Sequence, residues 1–382
     1  MRILSRSQVN VTSGLSVNTR SFYHIYSSFT HLWVMNRTFR LIVFFLGSLT
    51  AVACRPEPPG YDLHQQDSHT SALLIGLSVI DDEVAWASGT DATILRTSDG
   101  GGNWEVFRYE EADTLQFRDI HAFSSQEAVV LSVGNGGASQ VFRFDVDSGW
   151  TRTFQMDDDR GFLDAFDFWP DGQGLAYGDS FDEKPYLLKT EDMGATWFRL
   201  AGSLLPDAGP GEGGFASSGT CVETGADGKA WVGTGAGGNA RLFFTPDYGD
   251  HWEILSTDMV TGEAAGITSV RFDGTMGFIT GGDLTIVDER TNNLFFTDNS
   301  GRSWYAGASP KTPGAFYGSG FAKIGDRHVT LVVGPKGADL SVDYGQNWIK
   351  ISPLNLWTCE ILPSGRGWMM GKGGKILRIS MD

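Results

Sequence analysis

Apolar and polar residues alternate over short stretches along most of this chain, a pattern that predicts β-strands. In residues 72–107 an apolar run from Leu73 to Ile80 is followed by a turn at Asp81-Asp82 and by two further runs, 84–89 and 93–97. Helical periodicity is absent beyond the N-terminus. The pattern therefore predicts an all-β protein of short strands joined by tight turns.

The same order of runs recurs to the end of the chain. In each unit a large apolar residue precedes, by two or three positions, a Gly that ends the second strand. After Trp86/Gly89 these pairs are Leu131/Gly134, Leu175/Gly178, Trp231/Gly233, Phe278/Gly281, Leu331/Gly334 and Trp368/Gly371. One unit repeated over residues 72–382 predicts a single large domain.

A second repeat lies between the third and fourth strands of most units. Its pattern is Ser/Thr-x-Asp-x-Gly-x-x-Trp, with Asn once in place of Asp, and we call it the Asp–Trp turn. Five copies are present, with the acidic or amide residue and the Trp at Asp99/Trp104, Asp192/Trp197, Asp247/Trp252, Asn299/Trp304 and Asp343/Trp348; a degenerate copy ends at Trp150. The Asp can accept hydrogen bonds from its own turn, the Gly can take a left-handed conformation, and the Trp can enter the core. The copies predict structural turns.

The Asp–Trp turn resembles the Asp-box, or BNR, repeat of sialidases, sortilin-type receptors and the photosystem II assembly and stability factor family. Residues 72–380 are most similar to that last family and its relatives in non-photosynthetic bacteria, above all at Ile94–Trp104 (ILRTSDGGGNW). The resemblance implies a β-propeller with one turn per blade. It also implies a scaffold role, because members of the family assist assembly in photosynthetic organisms.

The unit count predicts seven blades. The tryptophans from Trp104 to Trp348 recur at intervals of 44 to 55 residues and define six units. A seventh unit, 357–379, has three strands and lacks the turn. Because an open edge between the first and last blades would invite aggregation, we expect the segment just before Ser71 to supply the fourth strand. The prediction is a seven-bladed propeller of four-stranded blades closed by an N-terminal strand, with six or eight blades as alternatives.

The N-terminal region reads as a targeting segment. Residues 35–54 hold basic Arg37 and Arg40, a short apolar run and small residues ahead of Cys54, which is typical of a bacterial lipoprotein signal with lipidation at Cys54. A plain secretory signal or an uncleaved anchor are the alternatives. Residues 1–34 are then a gene-model extension and 55–71 a flexible Pro-rich tether. We expect a chain anchored by lipid at the bacterial cell envelope, facing the periplasm or the outer surface.

The negative charge of the chain argues against nucleic acids as binding partners. The sequence has 46 acidic and 29 basic residues, a formal net charge of −17. Loss of residues 1–53 removes five Arg and no acidic residue, so the mature charge is −22. An acidic surface repels nucleic acid and anionic lipid head groups.

No cofactor, metal or disulfide is predicted. Residues 233–238 match G-x-G-x-x-G, but they lie between strands and no helix follows to hold a pyrophosphate. The acidic run 157–159 and the pair Asp145 and Asp147 lack the rest of a calcium loop, so solvated turn acids are the preferred interpretation. Cys221 and Cys359 fall in units on nearly opposite sides of the ring and are predicted to be buried free thiols.

Candidate binding residues lie where the first strands of neighbouring units begin. They are Arg118, Asp119, Arg160, Asp164, Glu212, Ser218, Glu263 and Ser269. First strands line the channel of a propeller, so these side chains would gather at one mouth and could bind a polar ligand or a partner's peptide. They could equally form a salt-bridge network that fixes the strand starts.

Two functions follow from these features. The first is a monomeric, non-catalytic propeller that binds a protein partner or a glycan as a scaffold. The alternative is a sialidase-like glycoside hydrolase. That resemblance implies three convergent Arg, a Tyr nucleophile with a Glu partner, an Asp acid and an Arg-Ile-Pro-like element, and the chain lacks this last element. The hydrolase requires a Tyr, a Glu and several Arg around one cavity.

Overall fold

The computed structural model describes residues 60–381, and its architecture is a seven-bladed β-propeller of four-stranded antiparallel sheets. The first blade consists of β2 (Leu74–Val79), β3 (Ala85–Gly89), β4 (Thr93–Thr97) and β5 (Glu105–Arg108). The second consists of β6 (Gln116–Ala122), β7 (Glu127–Val133), β8 (Gln140–Asp145) and β9 (Gly149–Gln155). The third consists of β10 (Leu163–Phe168), β11 (Gly174–Phe181), β12 (Lys184–Thr190) and β13 (Phe198–Arg199).

The remaining blades continue this order. The fourth holds β14 (Val222–Thr224), β15 (Ala230–Gly233), β16 (Arg241–Thr245) and β17 (Glu253–Ser256). The fifth holds β18 (Ala265–Asp273), β19 (Met276–Asp283), β20 (Leu294–Thr297) and β21 (Tyr305–Ala306). The sixth holds β22 (Gly318–Ile324), β23 (Arg327–Gly334), β24 (Gly337–Ser341) and β25 (Ile349–Ser352). Single 3-10 turns span Glu110–Ala112, Gly136–Ala138, Gly202–Leu204 and Ala226–Gly228.

The seventh blade joins the two ends of the described chain. Its inner strands are β26 (Leu356–Ile361), β27 (Arg366–Gly371) and β28 (Lys375–Met381), and its outer strand is β1 (Tyr61–Gln66). β1 pairs antiparallel with β28 from Tyr61↔Met381 to Gln66↔Ile376. The first strand of each blade packs on that of the next, and β26 packs on β2. The predicted fold, seven blades with N-terminal closure, is therefore confirmed.

The folded body begins earlier than the sequence predicts. A flexible tether is expected over residues 55–71, whereas β1 lies inside that range and the first strand begins at Tyr61 rather than after residue 72. The physical reason is the free edge of β28, which β1 covers. The extension at 1–34, the signal at 35–54 and Cys54 lie outside the described residues.

The Asp–Trp turns share one hydrogen-bond pattern. In the first, the Thr97 hydroxyl donates to Asp99 Oδ1 (2.9 Å) and accepts from the Gly101 amide (2.8 Å), while Asp99 Oδ1 also accepts from the Asn103 amide (2.9 Å). The same three bonds recur in the other four turns. Gly101 has φ +81°, the left-handed conformation expected of it.

The tryptophans of these turns fill the spaces between blades. Trp197 packs in a cluster with residues of the second and third blades, and Trp252 in one shared by the third and fourth. Trp304 and Trp348 repeat this one and two blades further on, and Trp104 lies against Trp368 and Met370 of the seventh blade. Each turn therefore ties its blade to the preceding one through buried apolar surface.

Other features of the described chain agree with the sequence. Cys221 and Cys359 are buried free thiols, as predicted. Within residues 60–381 there is no helix of the length and apolarity needed to cross a membrane.

One contact at the closing blade was not predicted. The Gln66 side chain accepts the indole N–H groups of Trp104 (3.1 Å) and Trp368 (3.0 Å) at Oε1, and its Nε2 donates to the Gly100 carbonyl (3.1 Å). One residue of β1 thereby satisfies two buried indoles that belong to the first and last blades. A buried donor left without a partner costs about 1–3 kcal/mol.

We expect Gln66→Ala to lower the free energy of unfolding by about 2–4 kcal/mol, because two indole N–H groups lose their acceptor and a cavity opens at the seam. Urea unfolding followed by tryptophan fluorescence measures this change. Gln65→Ala is the matched control, since Gln65 is an exposed neighbour in the same strand, and its cost should stay within about 0.5 kcal/mol. Equal stability of the two variants would contradict the role assigned to Gln66.

Candidate functional site at the upper mouth of the channel

The first strand of each blade borders a central channel with a cavity towards each end. We call the end at which these strands begin the upper mouth and the end at which they finish the lower mouth. The upper pocket has a volume of about 350 Å³. The lower cavity has a volume of about 360 Å³. The predicted binding residues belong to the strand starts, so the upper pocket is the first candidate.

Aromatic rings and three charged side chains line the upper pocket. The rings are those of Phe162, Phe215, Tyr317 and Trp357, and the charged groups are Arg118, Asp164 and Asp179. Apolar walls with a few convergent polar groups are typical of ligand sites in proteins.

β-bulges place the key side chains. In β6 the register skips a residue between Phe117 and Asp119, so Arg118 is the extra residue. The same irregularity makes Asp164 the extra residue of β10 and Trp357 that of β26. A bulge redirects a side chain that regular alternation would place elsewhere. The positions of these three pocket residues therefore all depend on a β-bulge in the first strand of their blade.

Arg118 is held at one wall of the upper pocket. Its Nη1 donates to the Ala216 carbonyl (2.8 Å), and its guanidinium carbon lies 5.6 Å from the centre of the Trp357 ring. That ring meets Tyr317 edge-on, with centroids 4.8 Å apart. Burial lowers the pKa of Arg118, and its Nε has no hydrogen-bond partner. The buried Nε–H donor of the guanidinium is thus without an acceptor in the described chain.

Asp164 and Asp179 form the opposite charge of the pocket. Asp164 is 2% exposed and its Oδ2 has no hydrogen-bond partner. Burial raises the pKa of Asp164 well above its usual range, and the charge of Asp179 adds to this effect. Asp179 accepts from the Gly214 amide (3.2 Å), and burial also raises its pKa. Neither carboxylate makes an ion pair within the described residues.

Two glycines let the chain pass close to these carboxyls. A Cβ at Gly213 would lie 1.9 Å from Asp179 Oδ1, and one at Gly214 would lie 2.6 Å from Asp164 Oδ2. Neither position has room for a side chain. The sequence predicts that the loop carrying Glu212 forms the mouth, and residues 214–217 of this loop, rather than Glu212, line the pocket.

Glu212 is a structural residue in a buried ion pair. Its carboxylate accepts from Arg241 Nε (2.8 Å) and Nη2 (2.7 Å), from the Thr234 hydroxyl (2.7 Å) and from the Gly209 amide (2.7 Å). Burial acts to raise the pKa of Glu212, but these bonds outweigh it and hold the pKa below its usual range. At this residue the salt-bridge interpretation describes the structure.

Three further candidates lie buried below the pocket. Asp119 accepts from the amides of Ile120 and Phe166 (2.8 Å each) and lines the lower cavity. Ser218 donates to the Tyr317 carbonyl (2.6 Å). A chain of hydroxyls links Ser218 through Thr220 to Ser269. These polar groups have their hydrogen-bond partners inside the protein.

The last two candidates are exposed and lie outside the upper pocket. Arg160 bonds with Asp158 and Asp182 (both 2.8 Å) and stacks on Phe181 at 4.6 Å. Glu263 is exposed at the loop before β18. Of the eight predicted rim residues, the structure brings Arg118 and Asp164 together in the upper pocket. Asp179, Trp357 and Tyr317 were missed, and no spacing rule in the sequence pointed to them.

The lower cavity is lined by charged groups, some of which form ion pairs and others of which bond to backbone groups. Arg271 donates to Glu223 (2.9 Å) and to the Ser319 carbonyl (2.9 Å). Glu360 accepts from the Val79 amide (3.2 Å), and His121 lies 3.4 Å from Asp167. Burial raises the pKa values of Glu223 and Glu360 to about 7, although Arg271 acts in the opposite direction.

Neither cavity assembles the hydrolase set that the sialidase resemblance implies. The upper pocket has Tyr317 and one Arg but no Glu, and the lower cavity has Glu223 and Glu360 but no Tyr and one Arg. The geometry of these two cavities therefore gives the glycoside hydrolase no support.

The ion pair of Glu212 generates a stability prediction. Glu212→Ala leaves the Arg241 guanidinium without its buried partner, so the free energy of unfolding should fall by about 3–5 kcal/mol. Glu263→Ala removes an exposed carboxylate from the matching loop of the next blade and should change it by less than about 0.5 kcal/mol. Thermal or urea unfolding of both variants checks this, and a stable Glu212→Ala protein would overturn the structural role.

The lower cavity generates a pH prediction. Glu360 has a folded pKa of about 7 against an ordinary 4.5, so between these values the folded protein holds a proton that the unfolded chain has released. The free energy of unfolding should therefore fall as the pH rises from 4.5 to 7, by up to about 3 kcal/mol for this group, and level off above.

Glu360→Gln isolates the contribution of this carboxyl group to the pH dependence, because the amide oxygen can still accept the hydrogen bond from Val79 but the side chain cannot ionise. Urea unfolding at half-unit steps from pH 4.5 to 8 compares the two proteins. The variant should lose less stability across the window than the wild type. Parallel curves would show that Glu360 titrates normally.

Comparisons with known proteins support the fold. No family model and no curated protein matches the chain. The structure of YCF48 bound to D1 peptide is similar with a TM-score of 0.59 and 17% identity, covering 85% of this chain and 96% of that one. YCF48 from Cyanidioschyzon merolae gives 0.59 and 17%, covering 83% and 98%. A streptogramin B lyase structure gives 0.58 and 12%, covering 84% and 98%.

At these identities the likeness shows a shared fold and leaves function open. One neighbour is shown with a peptide and another is named as a lyase. The chain is therefore similar in fold to YCF48, and its function must be argued from its own residues.

Proposed function

We propose that this protein is a non-catalytic binding protein that holds a segment of a partner protein in extended form at its upper mouth. The observation that carries the proposal is the upper pocket itself. It joins four aromatic rings to Arg118 and Asp164, whose Nε and Oδ2 atoms have no partner in the described chain. Polar groups placed in an apolar recess without partners are suited to a ligand that supplies them.

A side groove makes an extended segment a better fit than a compact molecule. Leu284 and Tyr317 line both the upper pocket and a second groove, which continues past Val287, Pro313 and Pro335. Val287 is 57% exposed in the loop after β19. This side groove has a volume of about 40 Å³, so it has room for one small apolar group of a segment whose neighbouring residue lies in the upper pocket.

The fold comparison supports this proposal. YCF48, a neighbour that shares the fold over most of both chains, is described in a structure bound to D1 peptide. From this likeness in fold we propose the same general mode of binding for this protein, in which a propeller receives a peptide. The partner itself would differ, because the recognising residues are those of this chain.

We place the protein at the bacterial cell envelope as part of the same proposal. The motif at residues 35–54 supports a lipid anchor on Cys54, and the large negative charge disfavours direct contact with anionic lipid. A partner of this kind would be another envelope protein. If Cys54 carries a lipid anchor, a labelled fatty acid should be incorporated at this residue.

Site-specific crosslinking tests the proposal. Benzoyl-phenylalanine in place of Leu284 reports on the upper mouth, and the same group in place of Ile80 reports on the lower cavity, which Ile80 lines. In irradiated cells we expect a protein adduct from position 284 and none from position 80. Trp357→Ala should abolish the adduct by removing the ring that supports Arg118.

Adducts of equal yield from both positions would contradict binding at the upper mouth. So would an adduct at 284 that persists in the Trp357→Ala protein. The amount of soluble protein and the melting temperature must both match between all variants.

A further inference from the structure

We infer that the upper pocket takes a basic side chain of the bound segment, with its cationic group against Asp164 and Asp179. This inference rests on the proposed function and names the chemistry of the ligand. The two carboxylates flank the Gly213-Gly214 backbone and line the same pocket. They outnumber the single guanidinium of Arg118, so the pocket has more acidic than basic groups, and a bound cation would favour the ionised form of the two carboxyls.

Asp164 is the strongest reason for a cationic ligand. The Oδ2 atom of this carboxyl group, which is 2% exposed, has lost its hydration without receiving a hydrogen bond in the described chain. An ammonium or guanidinium would supply charge-assisted hydrogen bonds to that oxygen. Asp164 is one of the residues that line the upper pocket, so a cationic side chain bound there would lie next to it.

Arg118 does not provide that cation. Its guanidinium is bonded to the Ala216 carbonyl and stacked over Trp357, and it makes no ion pair with Asp164 or Asp179 within the described residues. Its free Nε is instead placed to donate to a carbonyl of the bound segment. The pocket therefore offers a carboxylate pair for a cation and one donor for the backbone next to it.

The remaining walls suit the same ligand. The Phe215, Tyr317 and Trp357 rings can pack on the methylenes of Arg or Lys and attract the charge at their faces. A planar guanidinium can reach two carboxylates at once, so Arg should bind better than Lys.

A bare metal ion is a poorer occupant. In the part of the chain that the structure describes, no group of three or more His, Cys, Asp or Glu side chains has the arrangement of a metal site. The acidic character of the whole protein, −17 before any processing, also favours approach by a basic segment.

A positional-scanning library of acetylated, amidated decapeptides tests this inference on the full chain. Each pool fixes one residue at one position, and binding is measured by fluorescence anisotropy. For at least one position, pools with Arg or Lys should bind about tenfold more tightly than the pool with Glu. Asp164→Asn should abolish that preference, and Asp179→Asn should reduce it.

Glu263→Gln is the matched control, because it removes an exposed carboxylate outside the pocket and should keep the preference. Asp164→Asn replaces the buried carboxyl group by an amide of nearly the same shape, so its melting temperature should not fall. If it fails to fold, Asp179→Asn carries the test. Pools that bind with preference for Glu or for neutral residues would overturn the inference while leaving peptide binding intact. No binding by any pool would overturn both.

Discussion

The structure depends on the closure of a ring at one seam. Six of the seven blades are made from consecutive strands, and the seventh is complete only when β1 pairs with β28. Without β1 the edge of β28 would present unpaired amides and carbonyls to solvent. Gln66 adds a second bond across the seam, because it accepts from an indole of the first blade and from one of the last. The two ends of the described chain are thus held by one blade.

The Asp–Trp turns maintain the ring elsewhere, and they lie apart from the proposed site. Each turn follows the third strand of its blade, which runs parallel to the first, so it falls at the lower end of the propeller. Its Trp enters the space next to the preceding blade. The most repetitive feature of the sequence therefore specifies the fold, while the residues of the upper pocket differ from blade to blade. This division explains why the repeat indicates architecture and says little about the ligand.

The fold could be predicted from the sequence and the site only in part, for physical reasons. Strand alternation and regular turns act locally, so they show in the sequence. The position of Arg118 and Asp164 depends on β-bulges, which shift one residue out of alternation and leave no sequence signal. Glu212 seemed equivalent to them by position, but its partner Arg241 lies in a different strand of the same blade. In the sequence Gln66 is an ordinary linker residue. Its role follows only from the fold, which brings together the two indoles that donate hydrogen bonds to it.

Hydrogen exchange at single-residue resolution tests ring closure most directly. If β1 closes the propeller, its amides paired with β28 should exchange as slowly as those of the interior strand β27, and both should share one cooperative opening. The closed ring would be contradicted if the β1 amides exchanged within seconds, at rates typical of exposed loops, while the β27 amides stayed protected.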